Sequence, residues 1–102
     1  MANSKEIIKY SELLVHYHKL FTKKQLAYLH DYFFNDLSFQ EVANKYHVSS
    51  VAVADSVKHS KTLLDEYENK LCLYRKTNAR AKVYNQIKEK SIREKLLQIE
   101  KA

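Results

Sequence analysis

Glycine and proline are absent from this 102-residue sequence, and cysteine occurs once. A chain of average composition and this length would carry about a dozen Gly plus Pro. Hairpin turns, phosphate-binding loops and dinucleotide loops all lean on glycine, so sheet topologies and phosphate cradles lose most of their support. An AT-rich coding bias would produce the same depletion, and both causes can act together. The single Cys72 excludes an intrachain disulfide framework and fits a reducing compartment. Apolar runs are only a few residues long, far short of a membrane span. Lys5, Glu6 and Lys9 interrupt what would have to be the apolar part of a signal sequence. A cytoplasmic protein without membrane insertion is expected.

What remains is an all-α pattern, a small helical bundle organised around Ser38 to Leu64. Ser38 stands three residues ahead of Glu41, a capping box that opens a helix. Phe39, Val42, Ala43 and Tyr46 follow at helical spacing, with Ala43 small enough for a close helix crossing. Val48 plugs a short turn, and Ser49 or Ser50 caps a second helix. Val53, Val57 and Leu64 mark that helix's inward face, leaving Ser50, Val51, Ala54, Asp55, Lys58, His59 and Lys61 outward. This is a helix-turn-helix, and its outward residues hold the positions that a DNA reader uses.

Ahead of it, a disordered leader over residues 1–4 precedes a helix from Lys5 to Leu20 with Ile7, Tyr10, Leu14, Tyr17 and Phe21 on one stripe. Ile8 and Val15 lie off the stripe, either as ordinary exposed apolars or as the edge of a partner-binding face. A second capping box, Thr22 with Gln25, starts a helix at Lys23 that turns Leu26, Leu29 and Phe33 inward, and Asn35 and Asp36 form the turn into the motif. Beyond Val57 no breaker appears, so the recognition helix is expected to run unbroken to about Tyr74. At about 25 residues it spans roughly 37 Å, and its far half must pack on the first helix or on a second subunit of a homodimer. The spacing then predicts a short helix near 77–89 and another from Ile92, capped by Ser91 with Glu94.

The net charge of +6 divides unevenly. Residues 1–74 hold nine basic and nine acidic side chains, whereas residues 75–102 hold nine basic and three acidic ones. The sequence thus divides into a leader (1–4), a neutral bundle domain (5–74) and a basic helical C-terminal extension (75–102). Candidate nucleic-acid contacts are Ser49, Ser50, Val51, Asp55, Lys58 and Lys61 on the motif, and Arg75, Lys76, Arg80 and Lys82 in the extension. Tyr74 and Tyr84 could stack on unpaired bases there. His16 and His18 point to different sides of a helix, no other histidine shows ligand spacing, and no nucleophile has a partner in frame. No metal, cofactor, small-molecule substrate or catalytic residue is expected.

From Thr22 to Leu71 the chain resembles the YlxM-like family of small bacterial proteins, whose central unit is similar to the region-four helix-turn-helix of sigma factors. The residues that carry the resemblance are Tyr17, Thr22, Lys24, Gln25, Asp36, Ser38, Glu41 and Ala43, then Val48, Ser49, Ala52, Val53, Asp55, Val57 and Lys58, then Leu64, Tyr67, Glu68, Lys70 and Leu71. The resemblance implies an accessory or regulatory protein of the signal recognition particle pathway, with that particle's RNA or its GTPase as partner. The sequence departs from the family pattern at Ser50 and His59, where members tend to carry Arg, and at His47, often Gly in related motifs. Arginine grips phosphate and reads guanine bidentately, so these departures weaken duplex recognition, and Asp55 adds repulsion. A DNA-binding regulator is the alternative reading, and a purely structural interaction protein a third.

Overall fold

A computed structural model describes residues 2–101, which form six helices and no strand among the described residues. The all-α expectation therefore holds. Helix α1 (Ser4–Tyr17) opens one residue ahead of the expected start, with the Asn3 side chain accepting the Glu6 N–H at 2.9 Å. Of the expected leader, Met1 lies outside the described residues. Tyr10, Leu14, Tyr17 and Phe21 of the expected stripe are buried, and Leu13, one position beside it, is buried with them. Ile8 and Val15 face solvent. A single 3₁₀ turn (His18–Leu20) leads to Thr22, which forms the expected capping box with Gln25 at the start of α2 (Lys23–Phe33). Of the expected inward residues of α2, Leu29 and Phe33 are buried and Leu26 is only half-buried, and Tyr28 and Tyr32 on the neighbouring stripe are buried as well.

Both hydrogen bonds of the Ser38–Glu41 capping box form at the head of α3 (Phe39–Tyr46). His47 then takes a left-handed conformation (φ 57°, ψ 45°), and Ser49 caps α4 (Ser50–Leu71) by accepting the Ala52 N–H at 3.0 Å. Val42, Ala43, Val53 and Leu64 are fully enclosed. The small Ala43 side chain suits the close α3–α4 crossing. The helix-turn-helix is built as the sequence predicts.

The fourth helix is shorter than expected. It ends at Leu71, where Cys72 turns left-handed (φ 57°, ψ 28°), and a new helix, α5 (Leu73–Tyr84), begins at once. The break carries no glycine or proline because its stop is built from a side chain one turn back. The Glu68 carboxylate accepts the N–H groups of Tyr74 and Arg75, both at 3.1 Å, and so caps the next helix. At 22 residues, α4 spans about 33 Å. Its far half lies against α1: Tyr10 donates to Asp65 at 3.0 Å, Tyr17 donates to Glu68 at 2.6 Å, and Lys9 pairs with Asp65 at 2.9 Å. The unpartnered face that motivated a homodimer through this helix is thus occupied by the chain itself.

Helix α6 (Lys90–Lys101) turns back along α5, giving the two expected helices with shifted bounds. Its first turn is capped by Glu89, which accepts the N–H of Ser91 (3.0 Å) and Ile92 (3.2 Å), in place of the expected Ser91–Glu94 box. No described residue of α5 or α6 is fully buried. The hairpin stands out as an arm: the radius of gyration is 16.7 Å and the extents are 54 × 25 × 23 Å, whereas a compact chain of this length has a radius near ~13 Å. Among the described residues, no helix is long and apolar enough to cross a membrane.

Candidate nucleic-acid interface

The outward start of α4 is held in place from behind. Asp31 on α2, only 2 % exposed, accepts the Tyr46 hydroxyl at 2.6 Å, the Asn35 amide at 2.7 Å and the Lys45 ammonium at 3.1 Å. Burial pushes this carboxyl up, but the hydrogen bonds from Tyr46, Asn35 and Lys45 outweigh it and hold the group below its usual value. The effect is to tie α3 to α2 and fix the angle at which α4 is presented. Sequence reasoning missed this network because its members stand up to fifteen residues apart and no periodicity links them.

On α4, Val51, Asp55, Lys58 and His59 face solvent together, Val51 at 67 % exposure. Ser50 is half-buried, and Ser49 spends its hydroxyl on the cap. Lys61 leaves the set: its ammonium pairs with Glu6 on α1 at 2.9 Å and lies 5.5 Å from the centre of the Tyr10 ring. The position is outward on a lone helix but is covered once α1 packs beside it. Lys45 is likewise engaged by Asp31, so Lys58 is the one lysine of α3 and α4 before Lys61 without a carboxylate within 4 Å among the described residues. The first arginine in the sequence is Arg75. The motif face is therefore weakly charged, with Asp55 offsetting Lys58.

The arm is different. Arg75 and Lys82 share one face of α5, and Lys76 and Arg80 share the next. Arg80 is used up: it forks onto Glu100 of α6, with one N–H···O contact at 3.1 Å, and Tyr84 donates to the same carboxylate at 2.9 Å. It braces the hairpin and is removed from the free cations. Lys76, Lys82, Lys88 and Lys95 are exposed and have no carboxylate within 4 Å among the described residues, whereas Lys90 lies 3.8 Å from Glu94. The surplus positive charge of the sequence thus reaches the surface mostly unpaired.

Arm and bundle meet at Glu68. Besides capping α5 it accepts the Tyr17 hydroxyl, whose oxygen in turn accepts the Leu73 N–H at 3.1 Å. Burial first, and the bond to Glu68 second, push the Tyr17 hydroxyl up to about 12. Tyr74 adds a contact from its hydroxyl to Glu12, and its ring lies 5.9 Å from that of His16. Glu68 was legible only through the resemblance, since nothing in its local spacing marks it.

This arrangement, a capped helix-turn-helix followed by a helical extension, is matched over residues 4–102 by the model of the UPF0122 family of helix-turn-helix proteins, YlxM / p13 like. The chain belongs to the UPF0122 family. A UPF0122 protein of Malacoplasma penetrans is 42 % identical over 95 residues, covering 93 % of this chain and 89 % of the relative. One from Mycoplasma pneumoniae is 34 % identical over 92 residues, 90 % of each chain. The UPF0122 protein YlxM of Bacillus subtilis is 40 % identical over 73 residues, 72 % of this chain and 66 % of that one. The UPF0122 match thus extends over nearly the whole chain in the two mycoplasmal relatives and over a shorter length in the bacillar one.

Proposed function

We propose that this chain is a non-enzymatic cytosolic accessory protein that binds a ribonucleoprotein, its bundle meeting a protein surface and its arm gripping RNA phosphates. The YlxM-like resemblance nominates the partner: signal recognition particle RNA and the GTPase that rides on it. The observation that carries this reading is the segregation of charge. The neutral bundle leaves Lys58 almost alone on the motif face, while the arm exposes Lys76, Lys82, Lys88 and Lys95, none with a carboxylate within 4 Å among the described residues. A second reading, a duplex-DNA regulator acting through Ser49, Ser50, Val51, Asp55 and Lys58, is favoured by the open start of α4, where an apolar Val51 stands in solvent as a side chain that meets a thymine methyl would.

One titration separates them. Affinity for signal recognition particle RNA and for random duplex DNA is measured across a salt series, for the native chain and for a variant with Lys76, Lys82, Lys88 and Lys95 all changed to Gln. Each lost phosphate contact lowers the slope of log affinity against log salt by ~0.7 to 0.9, so the variant's slope should fall by about 3. An unchanged slope refutes the arm's role. Duplex binding that survives in the variant at native strength transfers the assignment to α4.

A further inference from the structure

At the elbow between bundle and arm lies a hollow of about 600 Å³ lined by Glu68, Tyr74, Arg75, Asn78, Ala79 and Lys82. We infer that this hollow takes a single unpaired nucleotide of a structured RNA, with the base over Ala79 and the flanking phosphates on Arg75 and Lys82. The inference rests on the RNA reading above and names the place on the arm where that reading becomes selective.

The residue pattern carries the argument. Arg75, Asn78, Ala79 and Lys82 recur at steps of three and four and therefore line one face of α5. The two cations stand two turns apart, about 10.5 Å along the axis. Between them Ala79 has only a methyl group, which leaves a floor on which a flat ring can lie. Tyr74 supplies an aromatic wall, and aromatic side chains stack on any base. Asn78 brings an amide, which both donates and accepts and so can meet a base edge. Glu68 closes the end nearest the bundle with both oxygens already engaged, Oε1 by Tyr17 and the Tyr74 N–H and Oε2 by the Arg75 N–H. That end is closed to phosphate, which directs the backbone toward Arg75 and Lys82. A paired base is excluded, because the deep groove of an RNA helix hides base edges from side chains, whereas bulges and loops display them. The hollow on the other side of α5, at Thr77, differs in chemistry: the Glu100 carboxylate lines it, and Arg80 beside it is locked to that same carboxylate.

The test uses the full chain with two RNA hairpins of the same stem, one fully paired and one with a single bulged nucleotide. The bulge is either adenosine or the fluorescent analogue 2-aminopurine. The native chain should prefer the bulged hairpin by about tenfold, the discrimination expected of one stacked and hydrogen-bonded base, with a change in 2-aminopurine emission on binding. Ala79→Trp, which fills the floor at an exposed helix position, and Asn78→Ala should each abolish the preference and the emission change while leaving salt-dependent binding to the paired hairpin intact. If native and variant chains bind both hairpins equally with salt-dependent affinity, the hollow is overturned and the arm's general role stands. If the native chain binds neither hairpin at low salt, the RNA reading fails and the hollow falls with it. A preference of equal strength for a DNA hairpin carrying the same bulge overturns the assignment to RNA.

Discussion

Replacing Glu68 by Gln should release the arm without melting the bundle. The native carboxylate accepts three hydrogen bonds, from Tyr17 at 2.6 Å and from the N–H groups of Tyr74 and Arg75 at 3.1 Å each. Glutamine keeps one acceptor oxygen, loses the charge that roughly doubles such bonds, and turns an NH₂ group toward one of the donors. A weakened bond on one side and an unpaired N–H on the other sum to about 2 kcal/mol. Because α5 contributes no buried residue to the core, the loss should appear as local opening. Hydrogen exchange of the α5 amides should accelerate roughly thirtyfold, while α2, α3 and the first half of α4 keep their native protection. Acid should do the same to the native chain. Burial pushes the Glu68 carboxyl up, but Tyr17 and the two backbone donors more than offset this and leave it below its ordinary 4.5. A group depressed in this way stabilises the folded state above its unfolded value, and the stabilisation is lost as pH falls through the folded value. Protection of α5 should therefore decline below about pH 4.5 in the native chain and decline less steeply in the Gln variant, where only Glu12 and Glu100 remain to be protonated around α5. Unchanged α5 exchange in the variant, or acceleration of all helices together, would refute the latch.

Two further outcomes concern stability. His47→Gly should raise the melting temperature by about 4–8 °C, because His47 holds a left-handed backbone (φ 57°, ψ 45°) that costs a residue with a Cβ about 1 kcal/mol; an unchanged or lowered temperature in a thermal melt counts against the strain. Ser60→Ala should stabilise by about 1 kcal/mol in a urea titration, since the Ser60 hydroxyl is fully buried and has no hydrogen-bond partner among the described residues. A loss of stability there would mean that the hydroxyl is bonded after all.

The parts of this fold that could be read from the sequence are those written in local chemistry. The capping boxes at Thr22 and Ser38 each need only a side chain and a neighbour three residues on, and both formed as expected. The inward faces of α1, α3 and α4 follow from periodicity in the same way. The features that escaped are those in which one helix acts on another. Cys72 breaks α4 because Glu68 caps α5 from across the turn, and a left-handed cysteine looks like any other residue in a string. Lys61 reads as an outward cation until Glu6 and Tyr10 of α1 arrive beside it. Arg80 reads as a phosphate contact until Glu100, twenty residues on, folds back against it. On the site, the division of charge was visible in a count, but which cations remain free depended on pairings that only the hairpin creates.

The elbow gives the charge asymmetry a geometric meaning. A basic tail on a loose linker would add affinity to any polyanion and remain indifferent to its shape. Here α5 is fixed to α1 and α4 through Tyr17, Glu68 and the Tyr74–Glu12 contact, and α6 is fixed to α5 through Arg80 and Glu100. The free lysines of the arm therefore stand at a set angle to the α3–α4 face, whose own orientation Asp31 fixes from behind. On the function proposed here, a partner that touches both surfaces must itself be rigid, which favours a folded ribonucleoprotein over an extended strand. Glu68→Gln then separates the two contributions. It leaves every free lysine in place, so affinity for a flexible homopolymer RNA should hold at native strength, while affinity for the structured partner should drop. Equal loss on both would place the arm's value in charge alone and remove the argument from geometry.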